Sequence, residues 1–237
     1  MADTHFLLDP YIFPLFAVTQ DSEGMKVGRF IGSGFWLDTE GHFLTCKHIL
    51  DSLAPGQLPA IGQPFGERRD YFVPVLSSVA HAQYDVAVGT APKRAVKGVL
   101  PRYKGALGLG LDVQAFGFTD AGRPFGAYEL DVRLLRGYVS RFSPEPLGLP
   151  SPSLIEVSFG SPSGFSGTPL LVGTEVVGVL YRNIESKLEA YSIHETTEGE
   201  SQFREIAYRI YEYGIAHSLA DLQPFLQQCG VAEAHGL

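Results

Sequence analysis

The chain has only two cysteines, Cys46 and Cys229, in 237 residues. Secreted domains of this size usually carry several in paired spacings, so a disulfide framework is excluded and reduced thiols are the expectation. Charge is scarce as well. Asp, Glu, Lys and Arg make up 19% of the chain, and the acids outnumber the bases to give a formal net charge of -8. Such a chain has no general attraction for phosphate backbones or anionic lipid, so neither nucleic acid nor membrane is an expected partner. The one basic run, Lys93, Arg94, Lys97, Arg102 and Lys104, lies between patterned segments and reads as a solvated linker. Long apolar runs are also missing, and none suffices to span a bilayer. The apolar N-terminal stretch from Met1 to Val18 has no Lys or Arg, carries Asp3 and Asp9, and is interrupted by Pro10 and Pro14. It does not read as an export signal, and a cytoplasmic location is the expectation.

Glycine (27) and proline (16) are plentiful, and 45% of residues are hydrophobic. Many short strands joined by turns are the expected outcome. Tyr11–Val18 is an apolar run. Gly28–Asp38 and His42–Cys46 read as a hairpin across Thr39-Glu40-Gly41, followed by a helical turn over Lys47–Leu53. Further strands are expected at Asp70–Leu76, Asp85–Val88, Leu111–Phe118, Tyr128–Phe142 and Leu154–Phe159. Thr168–Val172 and Glu175–Tyr181 pair across Gly173-Thr174. The polar, Glu-rich Ile184–Gln202 reads as a surface loop, Glu205–Tyr213 as a last strand, and His217–Gln228 as a closing amphipathic helix with Pro224 inside it. Alternation of strand and helix is absent, so a barrel or sandwich is favoured over a doubly wound sheet.

Three residues stand in a suggestive context. His48 follows the end of a predicted strand, Asp85 precedes the apolar run Val86-Ala87-Val88, and Ser166 lies between glycines in SPSGFSGTPL. A nucleophilic serine requires a base, a group that orients the base, and donors aimed at the oxyanion. Gly164 and Gly167 allow the backbone around Ser166 to turn sharply, so that the Gly164 and Ser166 N–H groups point at one oxygen.

Taken together, these segments resemble the trypsin-like serine peptidases, and within them the HtrA-like branch. Gly32–Leu50, GSGFWLDTEGHFLTCKHIL, is similar to the segment around the family's histidine. Tyr84–Val88, YDVAV, is similar to the aspartate segment, and Gly164–Leu171, GFSGTPLL, to the nucleophile segment. Val113–Phe118 and Leu135–Ser140 match intervening strands, so the resemblance runs from about Tyr11 to Leu226.

The resemblance implies an all-β fold of two six-stranded antiparallel barrels with a short C-terminal helix. Residues 1–105 would carry His48 and Asp85, and residues 106–237 would carry Ser166. It implies a serine endopeptidase in which His48 is general base and then acid, Asp85 orients it, and Ser166 attacks. Gly164 and Ser166 would form the oxyanion hole. The primary pocket would be walled by Phe159–Pro162 and Leu180–Asn183, with Gly160, Ser161, Leu180, Tyr181 and Arg182 against the substrate side chain. An uncharged base there favours a small or apolar residue. Thr168 departs from the family's second glycine. Phe165 stands where digestive members carry an Asp that receives a newly cut N-terminus, so no propeptide cleavage is expected. No PDZ-like extension is expected after the terminal helix. No cofactor is implied, and the expected partner is a protein or peptide substrate, with a regulatory protein as a further possibility.

Other readings are weaker. An α/β-hydrolase elbow around Ser166 fails at Thr168 and in the order of its partners. A metal site from His42, Cys46 and His48 has no fourth ligand. His194 reads as an exposed loop residue. The serious rival is a protease-like binding or regulatory module that stays inactive until, or unless, a partner assembles the oxyanion loop.

Overall fold

The apolar run near the N-terminus forms a strand, β1 (Ile12–Asp21), that is buried continuously from Ile12 to Val18. β1 is paired on both edges, with β2 (Gly24–Trp36) on one and β4 (Gln57–Gly62) on the other, and the unbroken burial of successive residues shows that both of its faces are covered. The computed structural model describes residues 11–22, 24–62, 72–120, 130–143, 154–196 and 202–231, except for the side chains at 143, 193–196 and 202–205.

Seven strands make the first sheet, completed by β3 (His42–Thr45), β5 (Phe72–Pro74), β6 (Ser77–Ala80) and β7 (Ala87–Thr90), in the order β5-β4-β1-β2-β3-β7-β6. The two outer strands are consecutive in the chain. The Val75 N–H donates to the Pro59 carbonyl beside β4, and the Leu76 N–H to the Thr90 carbonyl beside β7. One edge therefore runs directly into the other, and β5 and β6 act as two halves of a sixth, bent strand. The rolled sheet encloses Phe13, Trp36 and Phe43, with ring centroids 4.5 to 6.0 Å apart. A short helix, α1 (Lys47–Asp51), follows β3 directly. Part of the expected strand Asp70–Leu76 lies outside the described residues.

The second half forms a closed barrel in the order β10-β13-β12-β11-β8-β9, with β9 returning to β10. Its strands are β8 (Asp112–Thr119), β9 (Asp131–Ser143), β10 (Leu154–Val157), β11 (Pro169–Val172), β12 (Glu175–Thr196) and β13 (Gln202–Ser218). The expected hairpin across Gly173-Thr174 is present as β11–β12. The main apolar cluster joins both halves, bringing Phe116, Phe118, Leu154 and Val179 against side chains of the first sheet. The all-β, double-barrel architecture expected from the sequence is the one observed.

Two expectations are corrected. Of the expected loop Ile184–Gln202, residues 184–196 are strand, because β12 runs to Thr196 and pairs with β13 along a long two-stranded ribbon, and residues 197–201 lie outside the described residues. The closing helix is also shorter than expected. Residues Ala216 to Ser218 belong to β13, held by β12 on one side and, through His217, by β10 on the other. Only α2 (Gln223–Gln228) is helical, which places Pro224 in its first turn, where the missing N–H costs nothing. Of the basic run, Arg102 is drawn in and donates to Gln223 Oε1 at 2.6 Å. Among the described residues no helix is long and apolar enough to cross a membrane.

Candidate active site

β3 ends at Thr45, and the first turn of α1 presents His48 at the rim of the first sheet. Asp85 lies in the loop just before β7, the neighbour of β3, so sheet pairing brings the two together. The His48 N–H donates to Asp85 Oδ1 at 2.8 Å, and His48 Nδ1–H donates to Asp85 Oδ2 at 2.6 Å. A carboxylate on Nδ1 fixes the tautomer and leaves the Nε2 lone pair facing away. Burial works to raise the Asp85 carboxyl, but the side-chain and backbone hydrogen bonds from His48 outweigh it and hold the group below its ordinary value.

Ser166 comes from the second half, on the loop entering β11. Gly164 (φ 93°) and Gly167 (φ 84°) both require glycine. A Cβ on Gly167 would sit 2.0 Å from the Ser33 carbonyl oxygen, and one on Gly164 2.4 Å from the Phe30 ring. Within this loop the Phe165 N–H donates to the Pro162 carbonyl, that of Gly167 to Leu180, and that of Thr168 to Phe165. Among the described residues, the Gly164 and Ser166 N–H groups donate to nothing. Phe165 is fully buried in the apolar core of the second barrel.

β2 fastens the loop to the first sheet. The Ser33 N–H donates to the Ser166 carbonyl at 2.9 Å and Ser33 Oγ donates to the Gly164 carbonyl at 2.9 Å. Thr45 Oγ1 donates to the Ser33 carbonyl, and the buried Cys46 thiol donates to the Leu180 carbonyl. Burial pushes the Cys46 thiol well up, which keeps it protonated.

The Ser166 hydroxyl donates to the Tyr181 carbonyl at 3.3 Å, and among the described residues no hydrogen bond joins it to His48. Tyr181 thus meets Ser166 through its main chain. Its ring turns inward and stacks on His217, with centroids 4.1 Å apart. His217 is 1% exposed, and among the described residues neither ring nitrogen has a hydrogen-bond partner. Burial brings its pKa down to about 4, so it is neutral in the fold. Sequence reasoning missed this residue because it was assigned to a helix.

Next to Ser166, the Asn183 side chain spans from one predicted pocket wall to the other. Its Oδ1 accepts from the Ser161 N–H at 2.5 Å and its Nδ2 donates to the Ser161 carbonyl at 2.7 Å. Glu212 packs on Gly160, where an added Cβ would lie 2.6 Å from the carboxylate. The sequence offered no sign of an acid here. Leu180 is fully buried, while Arg182 is exposed with its guanidinium 5.1 Å from the Tyr181 ring centroid.

The side chains of the alternative metal set diverge. His42 pairs with Asp38 at 2.6 Å, Cys46 turns to Leu180, and His48 to Asp85. The His194 side chain lies outside the described residues.

Comparison with known proteins agrees with the fold. Residues 32–179 match the trypsin-like peptidase domain. No curated protein sequence matches the chain. Among solved structures, the active form of the Rv3671c protease from M. tuberculosis superposes with a TM-score of 0.61 at 14% identity, over 99% of this chain and 87% of that one. An inactive serine-to-alanine mutant of the same protease gives 0.60 at 14% identity, over 99% and 93%. A further inactive form gives 0.56 at 16% identity, over 95% and 91%. With the family's domain covering more than half of its length, the chain belongs to the trypsin-like peptidases.

Proposed function

We propose that the protein is a serine endopeptidase with His48, Asp85 and Ser166 as its triad and the Gly164 and Ser166 N–H groups as its oxyanion hole. The observation that carries this reading is that the Gly164 and Ser166 N–H groups have no acceptor among the described residues, whereas the Phe165, Gly167 and Thr168 N–H groups next to them are all bonded. On this reading the Ser166 hydroxyl leaves the Tyr181 carbonyl and turns to His48 Nε2. His48 then takes the proton as Ser166 Oγ attacks the substrate carbonyl, and Asp85 supports the imidazolium. The two amides bind the oxyanion, and His48 returns the proton to the leaving amine. Water repeats the cycle on the acyl-enzyme to release the second product.

In the primary pocket the Asn183–Ser161 bridge leaves room for a small side chain. Phe165, buried among apolar groups, offers no carboxylate to a new N-terminus, so activity does not await trimming.

The Ser166–Tyr181 hydrogen bond favours a second reading, a protease-like module held inactive until a partner docks. Labelling with a fluorophosphonate probe decides between them. Wild type should label at Ser166 and cut a mixed peptide library, and Ser166→Ala should do neither. Absence of labelling in the isolated wild-type chain rejects the constitutive enzyme.

A further inference from the structure

We infer that His217 is a positioning residue for the proposed triad: its imidazole, lodged against the rings of Tyr181 and Tyr84, fixes both the carbonyl that meets Ser166 and the loop that presents Asp85. The inference rests on His48, Asp85 and Ser166 being the triad.

Buried in the barrel wall, His217 is out of reach of substrate. Its main chain is gripped on both sides, by Val179 of β12 and by Leu154 of β10, so the ring projects from a fixed point. It lies nearly parallel to the Tyr181 ring, with 16° between the planes and centroids 4.1 Å apart. The Tyr84 ring meets it at 5.7 Å, tilted by 49°. Burial keeps the imidazole uncharged, so it packs against both phenols as a flat plate. Among the described residues neither of its nitrogens has a partner. The contribution of His217 is therefore that of its plane, and another flat ring should replace it.

The stack on Tyr181 acts on the nucleophile. β12 changes register between Leu180, opposite Ala216, and Arg182, opposite Ile215. Tyr181 is the extra residue, and a bulged residue has no ladder partner to set the direction of its peptide. The side chain supplies the missing anchor. Its ring is held by His217, with the Arg182 guanidinium 5.1 Å from the centroid. The carbonyl of the same residue accepts from the Ser166 hydroxyl at 3.3 Å.

The contact with Tyr84 acts on the carboxylate. The loop from His81 to Val86 is closed on itself: His81 Nδ1 accepts from the Gln83 and Tyr84 N–H groups, and the His81 N–H donates to the Val86 carbonyl. Asp85 is carried on this loop as part of one unit. Tyr84, directly before Asp85, turns its ring to His217, while His81 stacks on Tyr84 at 4.3 Å and meets Phe225 of α2 edge-on at 4.8 Å. A loop of the first half thus leans on rings of the second. One imidazole ties the support of the base to the seat of the nucleophile across the two halves.

The test is the rate of fluorophosphonate labelling per folded molecule, measured without denaturant on preparations whose folded fraction is known from circular dichroism. His217→Leu removes the plane. It should lower the maximal labelling rate by about tenfold or more, since displacements of under ~1 Å at reacting groups cost that much. The probe concentration giving half the maximal rate should stay the same. His217→Phe should restore most of the rate. His217→Gln provides a second replacement without a flat ring should the leucine variant not fold, and it should be slow as well. Tyr181→Leu removes the other half of the stack. Combined with His217→Leu it should be no slower than the slower single variant, because both remove the same contact. Losses that multiply in the double variant, a phenylalanine variant as slow as the leucine one, or a leucine variant altered only in its denaturant midpoint would each overturn the inference. The two readings fail differently. A wild type that does not label at all removes the triad and this inference with it, whereas a wild type and a leucine variant that label equally fast remove the inference alone.

Discussion

Ser33 grips the loop of Ser166 twice, by an amide bond to the Ser166 carbonyl and by a hydroxyl bond to the Gly164 carbonyl. The relation crosses from β2 to the second barrel, so the first sheet fixes the peptide units on either side of the one that carries the Ser166 N–H. Ser33→Ala keeps the amide bond and removes the hydroxyl bond. It should cost roughly 1 kcal/mol of stability. On the proposed mechanism, labelling of Ser166 should slow by more than that accounts for, because the freed peptide unit between Gly164 and Phe165 links the two oxyanion amides and its loosening disturbs their alignment. Labelling rate and denaturant midpoint, measured on the same preparation, check the split.

Asp85→Asn preserves size but gives His48 Nδ1 a weaker and reversible partner. On the proposed mechanism, kcat at neutral pH falls by roughly 10⁴. The carboxyl of Asp85 is held below its ordinary value, so its contribution to stability is present at neutral pH and is lost as pH falls through the folded value. The variant should therefore lose stability at neutral pH and approach wild type in acid, as denaturant titrations across pH will report.

Asn183→Gly removes the bridge to Ser161 and opens the cleft toward Gly160. Wild type should prefer a small residue before the cut. The variant should accept long basic side chains, drawn by Glu212. Cleavage-site profiling checks this, and an unchanged profile refutes the assignment of Asn183 as the barrier.

His217 gives the opposite pH behaviour to a paired histidine. It is neutral in the fold, with a pKa of about 4 against an ordinary 6.5. The unfolded chain gains a proton first as pH drops, so stability is full above about 6.5, falls between there and 4, and then levels. The full loss corresponds to about 3 kcal/mol. Asp85 favours the protonated ring, while Arg182 and His81 oppose it. His217→Phe keeps the stack on Tyr181, removes two unpartnered nitrogens, and should flatten this part of the profile in urea titrations.

The catalytic candidates were legible because their signals are local. Glycines around Ser166, a turn before His42 and an Asp before a short apolar strand are visible in any ten-residue window. The ribbon was not legible. Ile184–Gln202 is solvent-exposed on both faces over most of its described length, so no burial pattern with a period of two is imposed on its residues. His217–Gln228 failed for the converse reason: apolar residues at helical spacing serve a strand, a turn and a helix in succession. The Asn183 bridge and the Glu212–Gly160 contact depend on which strands become neighbours, and residue type carries no trace of that.

The last strand in the chain is not the last in the barrel. β13 is wedged between β10 and β12, and without it the second sheet has a gap in its wall. During synthesis His48 and Asp85 emerge early, whereas the loop of Ser166 gains a closed scaffold only after residue 218 has been added. A fragment that stops before β13 would hold all three candidate residues, His48, Asp85 and Ser166, without the closed wall that backs the serine loop.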